Sequence, residues 1–254
     1  MIYSTRKHFY DQIVMSTDGR WRTEAPLNLV IDADDTLWDS NIHFLDAFEA
    51  FVEAIAALGV NTHRDSIKAA VREAELEIIE SHGYGRKPYI LALERAIIRL
   101  APELHHKPLR RKLEKIGKEL IERECELLPG VGETVPELAR RHRLILFTKG
   151  QRDEQLVKLE RSGLARYFGR VETPREKNPD SYRRLLIEVG LERVRTFMIG
   201  NSPRSDINPA LRAGLRAAIY IRHPHTWELE DEELDHADPR IVQLATFRDL
   251  LHVF

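Results

Sequence analysis

Cysteine is almost missing. Cys125 is the only one among 254 residues, so no internal disulfide can form and packing must hold the fold, as suits a reducing compartment. Long hydrophobic runs are missing too: nothing approaches the ~20 consecutive apolar residues of a membrane-spanning helix. The opening MIYSTRKHFYDQIVMSTDGRW has no apolar core of signal-peptide length. A cytoplasmic protein with no membrane partner is the expectation. An excess of charge is likewise absent. Thirty-nine basic residues against 41 acidic ones leave a net charge of −2, with nothing to attract a polyanion, so nucleic acid is not an expected partner. Short basic patches at 105–112 and 140–143 lack interleaved aromatics and read as helix surface. There are no repeats and no low-complexity tracts, and 43% hydrophobic content is ample for a buried core.

What is present is concentrated in LNLVIDADDTLW, residues 27–38. Leu27, Leu29, Val30 and Ile31 form the near-continuous apolar run of a strand covered on both faces of a parallel sheet, and ligands of such sheets bind beyond the carboxyl ends of the strands. Asp32 and Asp34 stand at that end. Side chains alternate along a strand, so carboxylates at i and i+2 can enter one space, where they repel unless a cation lies between them. A divalent metal is implied. The competing reading is that paired acids before Thr36 cap a helix or a turn.

Residues 1–26 are mixed and polar, with no assignable chemistry. After Trp38 the texture becomes helical. Apolar residues step by three and four through Leu45, Phe48, Val52 and Ile55, then Ile67, Val71, Ala74 and Ile78. The same stepping recurs at Ile90, Leu93, Ile97 and Leu100, and at Leu109, Leu113, Ile116 and Leu120. Four amphipathic helices of this kind can bury their stripes in one bundle, with turns at Gly59, 83–88 and 102–108. Strand and helix then alternate. Strands are expected at 144–147, 194–199 and 217–221, and helices up to about residue 140 and at 152–164, 182–189 and 205–213. A short apolar stretch follows at 241–245. Such alternation predicts an α/β fold with a doubly wound, mainly parallel sheet.

The run Asp32, Ala33, Asp34, Asp35, Thr36 after an apolar strand resembles the first motif of the haloacid dehalogenase (HAD) superfamily. The resemblance implies that Asp32 is a nucleophile that becomes an aspartyl-phosphate and that Asp34 is a general acid and base. Three further segments are similar to the family's other motifs, in family order. LILFTKG supplies Thr148, implied to hold a phosphoryl oxygen, with Lys149 beside it at the approach to a helix N-terminus. EKNPDSY supplies Lys177, with Pro179 suited to a first helical turn. FMIGNSPRSD supplies Gly200, Asn201 and Asp206, where the family pattern is Gly-Asp followed by four residues and another Asp. The spacing fits and the first acid is missing. The implied magnesium site is then Asp32, the backbone carbonyl of Asp34 and Asp206, with the amide oxygen of Asn201 on the ion or on one of its waters.

A helical segment between the first and second motifs corresponds to what the family calls a C1 cap, which implies a HAD-like core at 1–38 and 127–254 and a cap at 39–126. Trp38 at the junction, with Tyr84 and Arg86 in the turn GYGRK, are the candidate substrate contacts, although a junction aromatic usually packs and such turns are usually solvated. His223 and His225 have ligand-like spacing without an evident third ligand, and the acid-rich run 228–235 reads as solvated surface.

The resemblance also discriminates among reactions. Dehalogenases of the family attack carbon, need no metal and lack an acid at the position of Asp34. Phosphonatases use a cap lysine near the first motif, whereas the first lysine after Asp34 is Lys68. The expected activity is a magnesium-dependent phosphatase acting on a small phosphorylated metabolite or nucleotide. A phosphomutase or phosphotransferase, or a scaffold with weakened catalysis, stands as the alternative. Substrate identity and oligomeric state are not encoded in any motif.

Overall fold

The computed structural model describes residues 14–15, 20–23, 25–59, 62–102 and 107–254. Near the start, strands β1 (Val14–Met15) and β2 (Trp21–Arg22) pair antiparallel, and the Trp21 ring lies edge-on to Phe197 at 5.2 Å. This aromatic contact attaches the leading segment to the core.

Six parallel strands carry the fold: β3 (Asn28–Ile31), β4 (Arg143–Phe147), β5 (Phe168–Glu172), β6 (Thr196–Gly200), β7 (Ala217–Ile221) and β8 (Ile241–Leu244). Their order is β5-β4-β3-β6-β7-β8. Period-two alternation divides β3 between two cores. Leu29 and Ile31 pack with Leu138, Leu146 and Ile199 on one face, while Val30 packs with Ile145, Tyr182, Leu186 and Met198 on the other. Helices α5 (Val131–Arg141), α6 (Arg152–Arg161), α7 (Pro179–Val189), α8 (Asn208–Arg212) and α9 (Leu250–Val253) complete these layers. The chain winds outward from β3 through β4 to β5, then crosses back to β6 on the other side. β3 therefore sits where the winding reverses, and the crevice at its carboxyl end is the natural ligand site of such a sheet.

Between β3 and β4 come α1 (Asn41–Ala56), α2 (Arg64–His82), α3 (Arg86–Leu100) and α4 (Lys107–Glu122). They bury an apolar cluster of their own that includes Phe51, Ile55, Ala74, Leu93, Ile97 and Leu113. The chain enters and leaves this insertion side by side: Trp38 bridges to Leu127, and the Asp39 amide donates to the Glu126 carbonyl at 3.0 Å. The fold is thus α/β with a parallel sheet and a helical insertion.

Several local expectations are corrected. The inward stripe of α1 is carried by Ala47, Phe48, Phe51, Ala54 and Ile55, and Leu45 is 42% exposed. β5 was not foreseen, because its sequence FGRVE is polar enough to read as a loop; it lies at the sheet edge, where polar residues are tolerated. The helix expected at 205–213 is a single wide turn, Pro203–Ile207, followed by the five-residue α8. The turn expected at 102–108 and the patch at 105–112 lie partly outside the described residues. No described helix is long and apolar enough to cross a membrane.

Candidate active site

Asp32 follows β3 directly, its backbone amide donating to the Ile199 carbonyl at 2.9 Å. This bond carries the ladder one residue past the strand and fixes the carboxylate over the crevice. Lys177 reaches it from the segment between β5 and α7. The lysine immediately precedes Asn178, whose side chain accepts from the Ser181 amide at 2.9 Å while the Ser181 hydroxyl accepts from the Asn178 amide at 3.0 Å, a reciprocal cap that starts α7 with Pro179 in its first turn. So anchored, the Lys177 ammonium donates to Asp32 Oδ1 and, at 2.7 Å, to Asp206 Oδ1. Thr36 Oγ1 stands 3.1 Å from both Asp32 Oδ2 and Asn201 Oδ1. All five side chains are buried. Asp206 also accepts from the Ser202 amide at 3.0 Å, and its carboxyl occupies the space over Gly200: a Cβ there would lie 2.2 Å from Asp206 Oδ2, so only glycine fits.

Two carboxylates thus share one ammonium out of water. Burial pushes both acids up, and Lys177 offsets only part of this. The charge of Asp34 adds to the rise at Asp32, and that of Asp32 adds to the rise of Asp206 to about 7. The two acids correspondingly hold the Lys177 ammonium well above the ordinary lysine range against the opposing effect of its burial. A cluster short of positive charge in this way is suited to a cation.

Asp34 is held differently. Its carboxylate accepts from Trp38 Nε1 at 2.8 Å and Lys158 Nζ at 2.9 Å on one oxygen, and from Gln155 Nε2 at 2.7 Å on the other. Burial alone would raise it. The Lys158 charge and the three hydrogen bonds outweigh that and hold Asp34 at about 2. Gln155 and Lys158 lie one turn apart on the inward face of α6, which starts just after β4. Neither was singled out from the sequence, yet both occupy buried positions of the α6 repeat beside Leu159, and a lysine at such a position signals a buried acid partner.

Asp35 makes the turn out of the motif with a left-handed backbone, φ 60°, and its carboxylate accepts from the amides of Ser40 and Asn41 at 2.9 and 3.0 Å, capping α1. Burial pushes this carboxyl up to about 7 against those two bonds. Behind it, buried His223 contacts Asp39 through Nε2 at 3.0 Å and accepts the His225 amide on Nδ1 at 3.3 Å. A ligand atom from each of Asp35, Asp39 and His223 lies within 4.8 Å of the others. His225 is exposed and not part of that group.

The run expected to be solvated at 228–235 is corrected in part. Glu230 folds over the site, paired with Lys149 and accepting from Ser202 Oγ at 2.7 Å. Thr226 accepts from Asn201 Nδ2 at 3.0 Å. The signal was only a cluster of charges, and its partners are far off in sequence. Lys149 therefore reaches the cavity already neutralised, with its ammonium 4.1 Å above the Tyr84 ring. Thr148 is buried at the end of β4, its hydroxyl 3.3 Å from the Lys149 carbonyl.

The helical insertion lies over these groups. Tyr84 donates to Glu176 at 2.8 Å, Gln151 to the His82 carbonyl at 2.8 Å, and Lys68 pairs with Glu228. Between the two halves is a cavity of about 510 Å³, lined at its floor by Asp32, Asp34, Thr148, Lys177, Asn201 and Asp206. Tyr84 lines it as well. Trp38 and Arg86, expected at the substrate, do not. Trp38 is fully buried and orients Asp34. The Arg86 guanidinium donates to the Ile121 and Arg123 carbonyls at 3.0 and 2.7 Å, which ties α3 to the end of α4. A guanidinium can satisfy several carbonyls at a chain reversal, and that use has taken it out of the cavity.

A protein-family model described as haloacid dehalogenase-like hydrolase matches residues 28–214. Among solved structures, a haloacid dehalogenase-like family hydrolase from Xanthomonas campestris is 29% identical, with 89% of this chain and 92% of that one covered and a TM-score of 0.74. The HAD-hydrolase YfnB from Bacillus subtilis, bound to magnesium, is 18% identical over 90% of this chain and 98% of its own, with a TM-score of 0.58. L-2-haloacid dehalogenase from Xanthobacter autotrophicus is 17% identical over 89% and 96%, TM-score 0.58. The last two likenesses show the fold alone. No curated protein matches the chain.

Proposed function

The chain belongs to the haloacid dehalogenase-like hydrolase family, and from that premise we propose that it is a magnesium-dependent phosphatase acting on a small phosphorylated metabolite or nucleotide. The observation that carries this reading is the buried cluster in which Lys177 joins Asp32 to Asp206 at the floor of the cavity, with a second acid, Asp34, two residues along from Asp32. A halide displaced from carbon needs no proton to leave, whereas the alcohol displaced in phosphoryl transfer needs one given to its oxygen before another is taken from water, which suits an acid placed two residues beyond the nucleophile.

Asp32 attacks phosphorus, a bond forms from its carboxylate oxygen, and the bond to the leaving oxygen breaks. Asp34 supplies the leaving oxygen with a proton. It then takes one from the water that attacks the same phosphorus and frees inorganic phosphate from Asp32. Lys177 favours the ionised form of Asp32 against its burial and lowers the repulsion between nucleophile and phosphate. Asp32, Asp206 and the Asp34 carbonyl would hold the magnesium ion, with Asn201 beside them. Bound there, it would neutralise charge on the phosphoryl oxygens. Asp34 bonded to Lys158 is poised as the base. Held at about 2 it carries no proton, so to act as the acid its carboxyl has to leave Lys158, take up a proton from solvent and turn toward the leaving oxygen.

The test is phosphate release from 4-nitrophenyl phosphate. Turnover is expected with added magnesium and not with a chelator; equal rates under both conditions would sink the reading. Binding should also register without turnover. Because burial, with the charge of Asp32, pushes Asp206 up to about 7 from its ordinary 3.8, the metal-free protein is expected to lose stability as pH rises from that ordinary value through about 7. Magnesium should therefore raise the melting temperature more at about pH 8 than at about pH 5.

Asn201→Asp supplies the acid that the family pattern has at this position. Beside Asp32 it adds negative charge within reach of the ion, so the magnesium concentration for half-maximal rate should fall. A titration that superimposes on that of the wild type would show that Asn201 does not face the metal.

A further inference from the structure

The phosphoryl group needs only the floor of the cavity, and about 510 Å³ is the size of a small-molecule site. The opposite wall belongs to the insertion. Lys68, Val71, Arg72, Glu75, Ile78 and Ile79 line it from α2 at steps of three and four, one face of that helix. Phe44 and Phe48 of α1 and Tyr89 of α3 complete the wall, and the Phe44 and Tyr89 rings meet edge to face at 5.1 Å.

Glu75 is the anomaly in this wall: it is half-buried, whereas the other charged residues of that face, Lys68 and Arg72, are exposed. Among the described residues it has no hydrogen-bond or ion-pair partner, although the cavity's lysines are all engaged: Lys68 with Glu228, Lys149 with Glu230, Lys158 with Asp34, and Lys177 with Asp32 and Asp206. Arg72, one turn back, is exposed and makes no ion pair with it. Burial pushes the Glu75 carboxyl up to about 7, and its charge in turn adds to the effect of burial in raising the Tyr89 phenol. A carboxyl left among Phe44, Phe48, Val71, Ile78 and Tyr89 without a donor is costly, and a purely apolar ligand would make it worse by displacing its remaining water.

We propose that Glu75 is the specificity-determining residue for the leaving group, and that the substrate is a phosphate monoester whose alcohol portion is mainly apolar and carries a nitrogen donor, an ammonium or an N–H, which Glu75 accepts. The inference rests on the phosphatase reading for its chemistry and on the cavity wall for its selectivity. Once a bound ligand covers it, an acceptor rejects analogues lacking the donor much more strongly than an apolar wall rejects one methylene.

Two matched pairs of aryl phosphates test it. 4-(Aminomethyl)phenyl and 4-ethylphenyl phosphate differ by an ammonium in place of a methyl; 4-carbamoylphenyl and 4-acetylphenyl phosphate differ by a neutral N–H donor in place of a methyl. The wild type is expected to favour the donor-bearing member of at least one pair by about tenfold or more in kcat/KM, and the pair that responds tells ammonium from neutral N–H. Glu75→Leu should abolish or reverse the preference. Glu75→Gln should keep a preference for the carbamoyl ester, since an amide oxygen still accepts, and lose one for the ammonium. Equal treatment of both pairs by the wild type, or a preference that survives in Glu75→Leu, overturns the inference. If none of the four esters releases phosphate, it is the phosphatase reading that fails. Glu75 is then judged by calorimetry with the free phenols. Tighter binding of 4-(aminomethyl)phenol than of 4-ethylphenol, lost in Glu75→Leu, supports the assignment; equal binding or none overturns it.

Discussion

Asp32→Asn is expected to cut the rate of phosphate release by ~10⁴-fold or more, the scale of loss when a nucleophile is removed and its surroundings kept. An amide cannot form the covalent intermediate, whereas its oxygen can still accept from Lys177 and its NH2 can donate to the Thr36 hydroxyl. The protein should not lose stability. In the wild type one ammonium is shared by two buried carboxylates, and removing the charge of Asp32 leaves Lys177 matched with Asp206. The urea midpoint should therefore stay or rise, and acid-quenched protein should carry no phosphate after incubation with substrate, unlike the wild type. A variant that turns over near the normal rate would make Asp32 a ligand only and remove the covalent mechanism.

The opposite charge change should be severe. Lys177→Met leaves Asp32 and Asp206 buried together without a cation, and stripping the partner from a buried pair costs about 3–5 kcal/mol. Activity should be lost with it, because the nucleophile would take up a proton and nothing would offset the phosphate's charge. Magnesium distinguishes this from loss of packing: if the two acids face a metal site, added magnesium should recover more stability in the variant than it adds to the wild type, read from urea midpoints with and without the ion. Equal increments in the two proteins would separate the carboxylates from the metal. A midpoint unchanged by the substitution would mean that Lys177 does not compensate them at all.

A phosphomutase would share these residues, and the two expected results above do not distinguish it. Accumulation of inorganic phosphate with time does, since a mutase returns the group to a sugar and a phosphatase gives it to water.

Much of the sheet was readable because its code is local. Runs such as LVI in β3 and AAIYI in β7 are almost wholly apolar, as strands covered on both faces require, and the strand expected at 217–221 has those bounds in the structure. The four stripes of the insertion were readable for the same reason, although α1 is rotated so that Leu45 turns outward: when apolar residues are as frequent as in FLDAFEAFVEAIA, several stripes satisfy the same period. Asp32 and Thr148 at strand ends and Lys177 before a helix are also legible in the sequence, since chain punctuation marks those points. Only the tertiary structure decided what each group meets. The engagement of Lys158 and Gln155 with Asp34, the folding of Glu230 onto Lys149, the withdrawal of Trp38 and Arg86 from the cavity, and the isolation of Glu75 within it all depend on residues brought together across long stretches of chain. A polar side chain's role is set by its partner and by the water it loses. Periodicity records which side of an element is buried, and carries no record of which element lies opposite.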